Sequence, residues 1–233
     1  MSMLAAFRGL GYCTAVVATA AVAIAPPAGA GSRHASSCTT GYSYVGAESP
    51  AAAAAVSATI RLSARPAVAA GHVAAWVGVG GAALGPAGSS EWLQAGVAQE
   101  AGGEPHLYYE LRRPQDDGAT YVSLGGVAPG EGHTFTVSEL SGQRDVWAAS
   151  IDGLRVATVT LPGSHGAFEP VATAENWDGG IPGTCNRYGF EFSNLGVRAD
   201  AGRAWQPFIL TRLMRDPAYT LLLRPGGFTA AAR

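Results

Sequence analysis

Two acidic side chains and one amide sit among aromatic residues in a pattern that hydrolysis can use. Gln94 lies in Trp92-Leu93-Gln94-Ala95-Gly96, Glu110 in Tyr108-Tyr109-Glu110, and Glu175 in Ala174-Glu175-Asn176-Trp177. A carboxylate held as a general base activates water toward an amide carbonyl and, once protonated, gives that proton to the leaving nitrogen. An amide NH2 aimed at the same carbonyl oxygen stabilises the oxyanion as it forms. Two carboxyl groups in one cleft resist joint ionisation, which raises one of them and favours work at acid pH. This chemistry calls for no metal and no cofactor.

These residues meet only if strands carry them to one face. Strand side chains alternate, so counting by two separates a core side from an open side. In the run from His72, Val73, Ala75, Val77 and Val79 share one face, and Ala74, Trp76, Gly78 and Gly80 the other. In the next run Leu93, Ala95 and Val97 point to the core, which leaves Trp92, Gln94 and Gly96 open. Leu107, Tyr109 and Leu111 likewise oppose Tyr108, Glu110 and Arg112, and Glu175 shares a face with Val171, Thr173 and Trp177. As neighbours, these strands form an aromatic groove in which Gln94 and Glu175 are the catalytic candidates. Trp76, Trp92, Tyr108, Glu110 and Trp177 are the substrate-binding candidates. Exposed aromatics gathered in one place mark a binding site. The bland alternative is that the tryptophans pack under loops and the carboxylates pair with Arg112 or Arg187.

The elements around them read as an all-β chain. From Val56 onward, short alternating runs are broken by Gly, Pro and Ser at about 8–15-residue intervals, with no long helical period, as in an antiparallel β-sandwich or jelly roll. Strands are expected at 57–63, 72–79, 91–98, 106–112, 120–125, 134–139, 145–151, 154–161, 170–177, 188–192, 196–199 and 219–223. Asp152-Gly153 between two alternating runs predicts a type I′ hairpin. Only 51–55 and 212–216 read as possible helices. Residues 31–50 read as a loosely ordered lead-in in which Tyr42 and Tyr44 can begin a first strand. The sandwich domain is expected over 51–227, with a frayed tail from Phe228.

The run Ala75-Trp76-Val77-Gly78-Val79-Gly80-Gly81, then Trp92-Leu93-Gln94-Ala95-Gly96, then Tyr108-Tyr109-Glu110 resembles the glutamic peptidases, or eqolisins. That family has a "WVGI" strand, an "LQTG" strand and a "WYEW" strand in this order and at similar spacing. The resemblance spans about 56–175 and is carried by the ordered set rather than by any one motif. It implies a concanavalin A-like sandwich, a metal-independent endopeptidase, and a catalytic pair on the concave sheet. In that pair Gln94 matches the family's glutamine, and Glu175 its glutamate. Trp76 and Glu110 match residues lining the same cleft. The chain departs from the pattern at Gly80, where the family carries an aspartate, and only about 20–25 residues separate the expected cleavage point from the first clear strand, fewer than a fungal pro-segment occupies.

The N-terminus carries Arg8, an apolar alanine-rich run over 12–25, Pro26-Pro27 and the small triplet Ala28-Gly29-Ala30. This predicts a secretory signal peptide over 1–30, cleaved after Ala30, and hence a secreted product. The run is short for a membrane anchor, which needs roughly 20 apolar residues. Cys13 falls in the leader, so Cys38 and Cys185 are expected to form one disulfide in an oxidising compartment. Two distant cysteines without a clustered His pair do not make a zinc site. All 15 basic residues are arginines, as in a GC-rich, actinobacterial genome, and with 17 acids the formal charge is -2. Such a balance offers no electrostatic case for nucleic acid or an anionic membrane. The expected partner is a polypeptide substrate or a glycan bound by a monomer. Gly163-Ser164-His165-Gly166 lacks a nucleophile elbow and reads as a polar turn, and His72, His106 and His133 read as structural residues at strand starts. Two further functions stay open: a non-catalytic module that stacks a sugar or peptide on Trp76, Trp92 and Tyr108, and a glycoside hydrolase using Glu110 and Glu175.

Overall fold

Residues 41–232 are described by the structure, a computed structural model; the expected leader, Cys13 and Cys38 lie outside the described residues. Fifteen strands follow one another: β1 (Tyr42–Glu48), β2 (Ala55–Leu62), β3 (His72–Gly81), β4 (Glu91–Glu100), β5 (His106–Arg112), β6 (Thr120–Gly126), β7 (Gly132–Glu139), β8 (Val146–Ile151), β9 (Leu154–Thr160), β10 (Val171–Trp177), β11 (Tyr188–Arg198), β12 (Gln206–Pro207), β13 (Arg212–Arg215), β14 (Thr220–Arg224) and β15 (Gly227–Ala232). They form two antiparallel sheets. One runs β13-β1-β10-β3-β4-β5-β6, and the other β14-β15-β11-β2-β7-β8-β9 with β12 beside β11.

The alternation decides what lies between the sheets. Val73, Ala75 and Val77 of β3 and Leu93 and Ala95 of β4 are fully buried, as are Ile60 and Leu62 of β2 and Phe135 of β7. Burying each large side chain contributes about 1.5–3 kcal/mol. The antiparallel β-sandwich expected from the sequence is therefore the observed fold. The hairpin at Asp152-Gly153 is present too, with φ of 51° and 81°, as a type I′ turn requires.

Five local expectations are corrected. The lead-in contains β1, a full strand between β10 and β13; its Gly46 has no room for a Cβ, which would stand 2.2 Å from the Ala172 carbonyl oxygen. Residues 212–216 are not helical. They supply β13, whose Arg212 lies opposite Glu48 and pairs with it at 3.3 Å. Residues 51–55 likewise hold no helix, and Ala55 opens β2. The tail is tied down as β15, because Phe228 is buried and stacks on Phe192 with ring centroids 4.3 Å apart. The runs at 188–192 and 196–199 are one strand, β11, with a bulge between Ser193 and Gly196.

Ser164 is no nucleophile candidate. It is fully buried and accepts the Trp147 indole N–H at 2.7 Å. His165 contacts the buried Glu139 carboxylate at 2.8 Å.

Candidate active site

Register brings the candidate residues together. β10 lies beside β3 with Glu175 opposite Ala74 and Thr173 opposite Trp76. β3 in turn sets Gly78 opposite Gln94 on β4, and β4 sets Gln94 opposite Glu110 on β5. All four strands turn these positions to the face away from the core, as the alternation predicts. Two glycines make the arrangement possible. A Cβ at Gly78 would stand 2.8 Å from the Gln94 Cβ, and one at Gly96 would stand 2.0 Å from the Ala75 carbonyl oxygen and 2.8 Å from the Trp76 Cβ. Larger residues there would push Gln94 and Trp76 off their places.

Glu175 is nearly buried, with 9% of its surface exposed. Its Oε2 accepts the Trp76 indole N–H at 3.0 Å, and its Oε1 lies 2.9 Å from the His72 Nε2. Glu110 accepts the Trp92 indole N–H at 3.1 Å on Oε1, and the Gln94 amide at 3.4 Å on Oε2. The same amide nitrogen lies 3.3 Å from the Tyr108 hydroxyl. Burial first, and then the Glu175 carboxylate, push the Glu110 carboxyl above the ordinary glutamate range. The indole N–H of Trp92 acts the other way. Neither carboxylate pairs with Arg112 or Arg187: Arg112 lies over the Trp92 ring, 5.6 Å from its centroid.

Between these groups is a cavity of about 240 Å³ lined by His72, Ala74, Gln94, Tyr108, Glu110 and Glu175, with Ala98, Glu100 and Tyr121 at its other side. Ala74 and Ala98 are the small residues that leave this space above the sheet. A water occupies about 30 Å³ of liquid, so the cavity has room for a water and a reacting group together.

The expected binding residues divide into three kinds. Trp76 and Trp92 spend their N–H groups on the two carboxylates. Tyr108 is buried beneath Tyr121, ring centroids 5.0 Å apart, so it offers its hydroxyl to the cavity and not its ring face to a ligand. Trp177 borders the site in a stack with Tyr42, centroids 5.8 Å apart. Cys185 sits in the loop after β10, and its expected partner Cys38 lies outside the described residues.

Three participants escape the sequence argument. His72 is in phase with Trp76 on β3, and counting back by two from Trp76 reaches it. Tyr44 and Tyr121 are opposite Glu175 and Glu110 across β1 and β6, but nothing in the sequence says that those strands flank the groove.

The fold has counterparts among solved structures. Scytalido-glutamic peptidase with a peptide-based transition state analog superposes with a TM-score of 0.54 at 13% identity, covering 83% of this chain and 98% of that one. A second structure of it, with a transition state analog inhibitor, gives 0.53 at 14% identity, over 82% and 98%. SCP-B, a member of the eqolisin family of peptidases in complex with the tripeptide Ala-Ile-His, gives 0.51 at 13%, over 83% and 98%. The likeness is one of fold. No protein-family model matches the chain, and no curated protein matches it in sequence. The departure at Gly80 has a structural cause: its φ is +79°, and a Cβ would stand 2.1 Å from the Glu91 carbonyl oxygen. An aspartate there would strain the backbone.

Proposed function

We propose that the chain is a secreted, acid-acting endopeptidase-like hydrolase that uses Glu175 and Gln94 and needs no metal or cofactor. The observation that carries this reading is that both side chains line one cavity with room for a water and a peptide carbonyl. In the proposed reaction the Glu175 carboxylate takes a proton from water while the water oxygen bonds to the carbonyl carbon. The Gln94 amide donates to the oxyanion. The protonated Glu175 then gives its proton to the amide nitrogen as the C–N bond breaks, which returns the carboxylate. Gln94 rests against Glu110 and Tyr108 in the free site, so its N–H groups are already held on the cavity side.

The test is cleavage of denatured casein or a quenched peptide library between about pH 2 and 7 by the mature protein, Glu175→Gln and Gln94→Ala. Acid-dependent cleavage is expected, abolished in Glu175→Gln and reduced about 10²–10³-fold in kcat by Gln94→Ala. A wild-type protein that cleaves at no pH refutes the hydrolase. One observation then favours a glycan- or peptide-binding module instead: Tyr42 is 54% exposed while stacked on Trp177, which makes a ready platform beside the cavity.

A further inference from the structure

Glu175 has two contacts on its carboxylate, and only one of them is explained by the motif strand. Trp76 is the tryptophan that leads the motif; His72 lies four residues earlier, at the first position of β3. His72 is opposite Trp177 on β10 and Glu100 on β4, whereas Glu175 is opposite Ala74. The histidine therefore reaches Glu175 along the diagonal, over the small Ala74 side chain, and a larger residue at 74 would stand in that path.

The ring is held from several sides. Tyr42 meets it edge-on with centroids 6.1 Å apart, and Trp177 lies 5.5 Å away. The backbone before it is fixed as well: Gly71 has a φ of +64°, and a Cβ there would stand 2.2 Å from the Trp177 carbonyl oxygen. The Gly71 carbonyl oxygen accepts the Ala101 N–H at 3.0 Å. Only about a quarter of the His72 side chain is exposed.

An ionised carboxylate only accepts hydrogen bonds, so the 2.9 Å contact between the His72 Nε2 and the Glu175 Oε1 has the proton on the imidazole when Glu175 is ready to act as base. The imidazole donates this bond both as the neutral tautomer with its proton on Nε2 and when fully protonated. The charged and titratable groups around it are Glu175 on β10, Asp178 just beyond it, Tyr42 and Tyr44 on β1, Glu100 on β4, Tyr108, Glu110 and His106 on β5, and Tyr121 on β6. Apart from His106, none of these groups can carry a positive charge. His106 itself lies 3.7 Å from the Glu100 carboxylate and within hydrogen-bond distance of the Tyr121 hydroxyl.

We propose that His72 is a positioning residue for Glu175: its imidazole N–H fixes one carboxylate oxygen and holds the group toward the cavity it shares with Gln94. This rests on the hydrolase reading above and extends it to a residue outside the Glu/Gln pair. The charge of His72 also reaches Glu110, where it acts against the upward push of burial.

The experiment is the pH dependence of kcat and KM for a quenched peptide with wild type, His72→Phe and His72→Gln. Phenylalanine keeps a ring against Tyr42 and Trp177 but has no donor; glutamine keeps a donor but has no charge. We expect His72→Phe to lose about tenfold or more in kcat with little change in KM. His72→Gln, which restores a donor, should recover part of kcat at the optimum. Circular dichroism checks that both variants are folded, and Tyr42→Phe, which leaves the imidazole in place, serves as a packing control. Cleavage by His72→Phe at the wild-type rate with the wild-type profile overturns the proposal, as does a kcat of His72→Gln no higher than that of His72→Phe. Absence of cleavage by the wild type at every pH sinks the hydrolase and this role together, whereas an active wild type matched by His72→Phe sinks this role alone.

Discussion

Replacing Asn186 with alanine is expected to cost more than any single change on the cleft surface. Asn186 is 5% exposed in the loop between β10 and β11. Its Nδ2 lies 2.8 Å from the Ala70 carbonyl oxygen, 2.9 Å from the Asn176 Oδ1 and 3.1 Å from the Trp177 carbonyl oxygen. Its Oδ1 accepts from the Ala69 N–H at 2.8 Å and the Ala70 N–H at 3.3 Å. An NH2 group has two hydrogens, so the three acceptors share two donors, and about four full hydrogen bonds are at stake. At about 1 kcal/mol net for each, with water entering the vacated space to recover part, the loss comes to roughly 2–4 kcal/mol. For a domain of this size that lowers Tm by roughly 6–12 °C. The same bonds tie the segment before His72 to the end of β10, so the His72–Glu175 contact should loosen with them. Urea unfolding followed by tryptophan fluorescence measures the loss, with the m-value expected to hold. A loss below about 1 kcal/mol would show that water substitutes for the amide and that this side chain does not pin the two strand ends.

Two further changes probe the cavity itself. The Glu110 carboxyl is raised in the folded protein, so the folded state keeps a proton that the unfolded chain gives up; its contribution is fully present below the ordinary glutamate value and is lost as pH rises through the raised one. Glu110→Gln should therefore be about as stable as wild type near pH 3 and gain on it toward pH 7 in thermal melts, and a gain confined to acid would contradict the burial argument. Ala98→Leu fills the space beside Tyr108 and should reduce peptide cleavage at least about tenfold while costing about 1–3 kcal/mol of stability; unimpaired turnover would mean that substrate does not use this cavity.

The sandwich and its open face are legible in the sequence because period-2 alternation survives in β3, β4 and β5, where Val, Leu and Ala alternate with Trp, Gln, Tyr and Glu. β1 is harder to see. Its core positions are Ser43, Val45 and Ala47, and its other face ends in Gly46 and a buried Glu48 whose charge is met by Arg212 from a distant strand. β15 is hidden for a similar reason, since Phe228 is its one large apolar side chain and the rest are Gly, Thr and Ala. Gln94, Glu175 and Trp76 can be found by counting faces, but the contact between His72 and Glu175 cannot. His72 reaches it by a diagonal set by strand pairing, and pairing between β3 and β10 is information that neither strand carries alone.

The placement of β1 sets the order in which the site can come into being. Its Tyr44 lies opposite Glu175, and its other edge is covered by β13. The first strand of the described residues thus waits for partners that lie more than 120 residues further along the chain, and closing so long a loop is slow. A nascent or C-terminally truncated chain can pair β3, β4 and β5 by neighbouring hairpins and still lack the carboxylate that β10 brings. The cleft is a late product of folding, so a chain shortened before β10 can hold much of one sheet and none of the chemistry.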